Sequence, residues 1–274
     1  MAENAKILII PDVHGRDFWR IPVMDTLANS DVPIVFLGDY LDPYYDEWRD
    51  RMNEDPSFDY RMNAVNVFEE ILQLKTQYPD RIILLLGNHD CGYAVDYDVC
   101  SCRYDRKNSI RIKDDFSNNL DKFQLAYEIT INDKHFVLSH AGISHKYAEN
   151  VFGKDVVTED NVVDLFNNAW VAQNYEVLDS LGMYDYYRGG FSGHDYASLV
   201  WADIHEWGDD SYSPQEGYGY MIFGHTQLID KPYIDDKFAC LDCRKAFYID
   251  SAGNIKEYII DSGLLFRPLK CNVL

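Results

Sequence analysis

Residues 6–15 read KILIIPDVHG, a short apolar run that ends in a turn carrying Asp12 and His14 beside Gly15. The run has strand length and does not alternate polar with apolar, so 6–10 reads as a buried strand. Residues 33–37 and 81–86 repeat the pattern, and the stretches between, 17–29 and 61–77, carry helical spacing. A βαβαβ order predicts a parallel sheet with helices on its faces. In such sheets the chemistry gathers just beyond the carboxyl ends of the strands.

Two polar stretches interrupt that scheme. Residues 43–60 are rich in Tyr, Asp, Glu and Arg, and 91–108 in Tyr, Asp and Cys. Both follow strand ends, so they read either as loops that overhang a site or as solvated surface loops. From residue 125 the pattern changes to a hairpin, 125–131 and 134–139, turned at Asn132-Asp133. A helix is expected over 158–178. Strands at 218–223, 238–241, 246–250 and 255–260 are assigned to a second sheet. The whole chain, 1–274, is taken as one domain with insertions at about 43–60 and 91–108.

The 274 residues carry 25 Lys and Arg against 46 Asp and Glu, a formal charge of -21. Such a surface repels polyanions, which argues against a nucleic-acid polymer as partner. No apolar run approaches the roughly 18 residues of a membrane span, and the polar start runs straight into a strand rather than a leader. A cytoplasmic protein without membrane contact is expected. The six cysteines are expected to be free thiols, because a chain of this size needs no disulfide staples. Cys240-x-x-Cys243 and Cys100-x-Cys102 could share a zinc, but two clean CxxC pairs are the usual signature.

Five segments place metal-ligand side chains just after apolar runs: Asp12 and His14, Asp39 with Asp42, Asn88 with His89, His140, and His225. Each has a Gly close by, which lets the backbone turn sharply. The set of oxygen and nitrogen donors suits manganese, iron, zinc, nickel or cobalt better than calcium. A lone His or Asp after a strand is usually a core hydrogen-bonder or a helix cap. Six such residues at strand ends of one chain are hard to explain that way, since burying them together without a cation is costly.

The order DxHG, GDxxD, GNHD, SHAG and GHT, spanning Asp12 to Thr226, resembles that of the calcineurin-like metallophosphoesterases. The resemblance implies an α/β fold, a four-layer α/β/β/α sandwich of two mixed sheets flanked by helices. It also implies two divalent metal ions, manganese foremost. One would be held by Asp12, His14 and a bridging Asp39, the other by Asp39, Asn88, His140 and His225. In the family pattern a hydroxide shared by the ions attacks phosphorus, His89 protonates the leaving group and Asp42 orients His89.

Departures narrow the choice. Gln227 stands where many members have a second His, as in the serine/threonine protein phosphatase branch, and residues 199–203, LVWAD, loosely resemble a stretch of that branch. Against it, Pro43 replaces the Arg that usually follows Asp42, and GNHD replaces GNHE. A phosphate-gripping arginine must then come from elsewhere: Arg16, Arg103, Arg106, Arg188 and Arg244 are candidates, Arg188 first. The leading expectation is a phosphatase acting on monoesters of a phosphorylated protein or small molecule. The rivals are a nucleotide or dinucleoside polyphosphate hydrolase, with Tyr44, Tyr45, Trp48, Tyr93, Tyr97 and Tyr104 stacking a base or packing together, a phosphodiesterase, and an inactive binding protein on the same fold.

Overall fold

The computed structural model describes residues 4–95, 102–184, 186–188, 195–208 and 213–259. The N-terminal part runs β1 (Ala5–Ile10), α1 (Arg20–Asn29), β2 (Ile34–Phe36), α2 (Tyr45–Glu54), α3 (Tyr60–Gln77), β3 (Ile82–Leu85), α4 (Asn88–Ala94), α5 (Ser109–Ser117) and β4 (Phe123–Gln124). Strands β1 to β4 are parallel neighbours. Their unbroken apolar runs are explained by burial on both faces. Leu8, Ile10, Ile34, Phe36, Ile82 and Leu84 pack with Val23, Val65 and Phe68 of the helices. Ile7, Ile9, Val35, Leu37, Ile83 and Leu85 face the other way into a second core.

The chain continues through β5 (Ala126–Ile131), β6 (Lys134–Ser139), α6 (His145–Phe152), α7 (Val162–Val171), α8 (Tyr175–Ser180), α9 (Ile204–Trp207), β7 (Tyr220–Phe223), β8 (Tyr233–Ile234), β9 (Phe238–Cys240), β10 (Phe247–Asp250) and β11 (Ile255–Glu257). The second sheet has the order β5-β6-β7-β9-β8, with β6, β7 and β9 parallel. Phe136, Leu138, Ile222, Ala239 and Leu241 from it fill the core shared with the first sheet. Two mixed sheets packed face to face with helices outside are the architecture expected.

Three readings need correction. The last two strands, β10 and β11, do not join the second sheet; β10 pairs antiparallel with β1, which makes the first sheet six-stranded. Strand order is set by contacts more than 230 residues apart in sequence, which local pattern does not carry. The helix expected over 158–178 is broken into α7 and α8, with Gln173 between them at φ 50°, a left-handed conformation that ends a helix. The stretches read as loops contain α2 and most of α4. The polar hairpin turn is as expected: Asn132 and Asp133 both have positive φ, 51° and 60°, as a tight two-residue turn requires.

Candidate functional site

The strand ends of the two sheets meet on one side. Asp12 and His14 follow β1, Asp39 and Asp42 follow β2, Asn88 and His89 open α4 after β3, His140 follows β6 and His225 follows β7. Of these residues, His14, Asp39, Asp42 and His225 have positive φ, 45°, 51°, 55° and 61°. Non-glycine residues seldom adopt this conformation, and it turns their side chains into the crevice. Two glycines leave room for Asp39 and Asp12: a Cβ on Gly87 would lie 2.2 Å from Asp39 Oδ1, and one on Gly224 would lie 2.0 Å from Asp12 Oδ1.

Hydrogen bonds fix the state of the imidazoles. His14 Nδ1 lies 2.7 Å from the Leu41 carbonyl and His140 Nδ1 lies 2.8 Å from the Leu37 carbonyl. A carbonyl only accepts, so each Nδ1 carries a proton, and Nε2 is the ring nitrogen left toward the crevice. Burial, aided by His89, Arg16 and Arg103, holds His14 well below the ordinary histidine range, so it stays neutral. Burial and then Arg188 do the same for His225.

These nitrogens stand mostly among acceptors, with Arg103 Nη2 a long donor contact at 3.5 Å from His14 Nε2. His140 Nε2 is 3.1 Å from Asn88 Oδ1 and 3.5 Å from Asp39 Oδ2, His225 Nδ1 is 3.0 Å from Asn88 Oδ1, and His14 Nε2 is 3.5 Å from Asp39 Oδ2. Acceptors gathered at such distances repel unless a cation stands among them. Donor atoms of Asp39, His140 and His225 all lie within 4.8 Å of one another, as do those of His14, Asp39 and His89, so Asp39 belongs to both groups. The residues fit divalent ions bound by nitrogen and oxygen. Asp12 is turned toward the second sheet, its carboxylate accepting from the His225 amide at 3.0 Å. Burial and then the Asp39 charge raise its pKa.

His89 comes within ligand range of His14 and Asp39, but its Nδ1 is taken by Asp42 Oδ2 at 2.8 Å. The other Asp42 oxygen accepts from the Tyr93 hydroxyl at 2.5 Å, and that hydroxyl accepts from the Asp105 amide. Asp90 was noted in the sequence only as a departure from GNHE. It accepts backbone amides of Asp39, Tyr40 and Gly87 at 2.7, 3.1 and 2.9 Å, tying the loop after β2 to the start of α4.

The arginines sort clearly. Arg188 lies beside His225, yet its Nε is paired with Asp203 at 2.8 Å and its Nη2 donates to Thr226 Oγ1 at 2.9 Å. Arg16 and Arg244 share Glu47. Arg103 reaches the centre instead: its Nη2 is 3.1 Å from His89 Nε2 and 3.5 Å from His14 Nε2. It is held there by a bond from Nε to the Asp42 carbonyl at 2.8 Å and by the Tyr44 ring 3.6 Å beneath the guanidinium carbon. The aromatic residues of the two insertions largely pack on one another, Tyr93 on Tyr104 and Trp48 on Phe58; Tyr97 lies outside the described residues.

Cys91, Cys102, Cys240 and Cys243 are free thiols. No cysteine enters a candidate metal group among the described residues; Cys100 and Cys271 lie outside them. No helix among the described residues is long and apolar enough to cross a membrane.

The sequence profile of the calcineurin-like phosphoesterases matches residues 5–227. The catalytic subunit of serine/threonine-protein phosphatase 6 of Drosophila melanogaster is 24% identical over 237 residues; the aligned part is 83% of this chain but 59% of that protein, so the chain spans under two thirds of this curated relative. A serine/threonine phosphatase of Saccharomyces cerevisiae with similarity to human PP5 superposes with a TM-score of 0.50 at 15% identity, covering 95% of this chain and 81% of its own. A cold-active protein-tyrosine phosphatase of a Shewanella species gives 0.50 at 14% identity, covering 93% and 80%. At these identities the two structures speak for the fold alone.

Proposed function

The chain belongs to the calcineurin-like phosphoesterase family, and on that premise we propose that it is a metal-dependent phosphatase hydrolysing phosphate monoesters, of the serine/threonine protein phosphatase kind. The observation that carries this reading is the cluster of nitrogen and oxygen side chains around Asp39, with His14 on one side and Asn88, His140 and His225 on the other. Two divalent ions bound there, manganese first among the candidates, would supply a water of lowered pKa and neutralise charge on the phosphoryl oxygens.

The chain's own residues do the rest. His14, Asp39, Asn88, His140 and His225, with Asp12 between the sheets, hold the ions. Asp42, fixed by Tyr93, orients His89 through Nδ1, and Nε2, which faces Arg103 in this arrangement, is the atom placed to pass a proton to the leaving oxygen once it carries one. Arg103 takes the place of the missing arginine after Asp42 and grips the terminal phosphate oxygens; its planar fork and its seat on Tyr44 suit that task. A monoester dianion gives this cation more charge to hold than a diester does.

The test is a panel of nitrophenyl phosphate, bis-nitrophenyl phosphate, dinucleoside polyphosphates and phosphopeptides, assayed with manganese and again after chelation. Metal-dependent hydrolysis with a larger kcat/KM for nitrophenyl phosphate than for its diester supports the proposal. The reverse order puts a phosphodiesterase first, and preference for the dinucleotides a nucleotide hydrolase. No hydrolysis at all leaves a binding protein on the same fold.

A further inference from the structure

The groups assigned to the metal centre stand just past the carboxyl ends of β1, β2, β3, β6 and β7. One more parallel strand ends on the same side. In β9, Cys240 is the register partner of Phe223 in β7, and two residues beyond that pair stand His225 and Asp242. The two chains stay joined past the sheet: the Leu241 amide donates to the Phe223 carbonyl at 2.8 Å, and the Leu228 amide to the Asp242 carbonyl at 2.7 Å. The Cys240 thiol faces the carbonyls of Gly224 and Thr226 at 3.3 and 3.4 Å.

Asp242 is only 3% exposed, and its Oδ1 is buried with no hydrogen-bond partner. A carboxylate oxygen left bare in the interior is costly unless something positive meets it. The charged groups that act most strongly on Asp242 are Asp12, Arg16, Asp39 and His140, and Tyr44, Cys240 and Cys243 also feel its charge. Arg16 is already committed, through Nε and Nη2 to Glu47 and through Nη1 to the Asp12 carbonyl. Asp12 and Asp242 therefore share one arginine that is held by a third carboxylate, Glu47. Burial, and next the charge of Asp12, hold Asp242 well above the usual carboxylate range. Gln227, two residues past His225, is exposed and brings nothing to the centre.

We propose that Asp242 is a sixth strand-end member of the metal centre, its free oxygen serving the ion on the Asp12 side, directly or through a water on that ion. The inference rests on the phosphatase reading only in needing bound metal. Asp242→Asn keeps the shape and removes the charge; Asp242→Ser serves the same purpose should the amide not be tolerated. Metal content is measured after equilibration with graded manganese, and melting temperature is measured in chelator and in manganese.

The expected result is wild-type protein with two ions and a variant that keeps one, its second affinity weaker by about tenfold to a hundredfold, the scale for groups that support a metal site. In chelator the variant melts no lower than wild type, because a bare buried carboxyl has been removed. Its manganese-induced rise is smaller. Two ions at wild-type affinity would overturn the inference, as would equal loss of melting temperature with and without manganese, the mark of a purely structural carboxylate. Wild-type protein that binds no metal would overturn the phosphatase reading along with it.

Discussion

The floor of the site and its rim are built on different terms. The floor is a set of strand ends whose positions follow from sheet register: Phe36 pairs with Leu84 and Ile10, and each of these strands delivers its polar group two to four residues later. The rim comes from two insertions, and it is held by contacts that span the chain. Arg103 bonds the carbonyl of Asp42, 61 residues away, and Arg61 bonds the carbonyl of Arg103, 42 residues away. A register-built floor is rigid and suited to fixing ions. A rim attached by side chains can vary, and under the proposed function it would set which phosphate ester fits.

The largest effects should come from the floor. His140→Ala removes a nitrogen from the cluster around Asp39 and should lower both metal content and turnover, the latter by about a thousandfold, because a bound ion contributes several kcal/mol of charge stabilisation. Metal analysis alongside kinetics checks this; a variant with two ions and normal turnover would show that the floor is not the metal centre. His89→Ala stands between floor and rim. It should keep its metal and lose about a hundredfold in turnover on esters with poor leaving groups, the usual scale for general acid catalysis. Nitrophenyl phosphate, whose leaving group needs little protonation, should be hurt less. Loss of metal instead would make His89 a ligand, which its distance from His14 and Asp39 permits.

The same division governs what could be read from the chain. Asp12, His14, Asp39, Asn88, His140 and His225 stand out as candidates because each follows an apolar run beside a glycine, a signal contained within about ten residues. The hairpin at Asn132-Asp133 was legible for the same reason. The pairing of β10 with β1 was not, since both are ordinary apolar strands and nothing local names a partner. Asp90 shows in the sequence only as a departure from GNHE, because the three backbone amides it accepts lie on two separate turns. Arg103 was one arginine among five, and what sets it apart is the Tyr44 ring and the Asp42 carbonyl, neither of them near it in sequence. Asp242 was hidden inside Cys240-x-x-Cys243, where the eye goes to the thiols.

At the rim, Arg103→Ala should raise KM for a monoester by about tenfold to a hundredfold with a smaller change in kcat, the scale for losing hydrogen bonds from a charged donor. The diester should suffer less, so the preference between the two narrows. Arg103→Lys should recover little, because an ammonium does not lie flat on Tyr44 while bonding the Asp42 carbonyl. A variant whose KM rises equally for both esters would assign Arg103 to loop structure rather than to substrate.

Arg188→Ala should give the smallest change, within about threefold in kcat/KM, the scale of a partly exposed ion pair. Its Nε is paired with Asp203 and its Nη2 donates to Thr226 Oγ1, so the guanidinium is anchored away from the position Arg103 holds beside His89 and His14. Its influence on the centre runs through His225, whose proton affinity it lowers, but burial is the larger cause there and survives the substitution. The His225 lone pair should therefore remain available, and manganese affinity should change little. Kinetics on nitrophenyl phosphate and manganese titration of the two arginine variants side by side make the comparison. If Arg188→Ala raises KM as much as Arg103→Ala does, Arg188 must leave Asp203 when substrate arrives, and the phosphate is gripped from the side of the second sheet rather than from the insertion after α4.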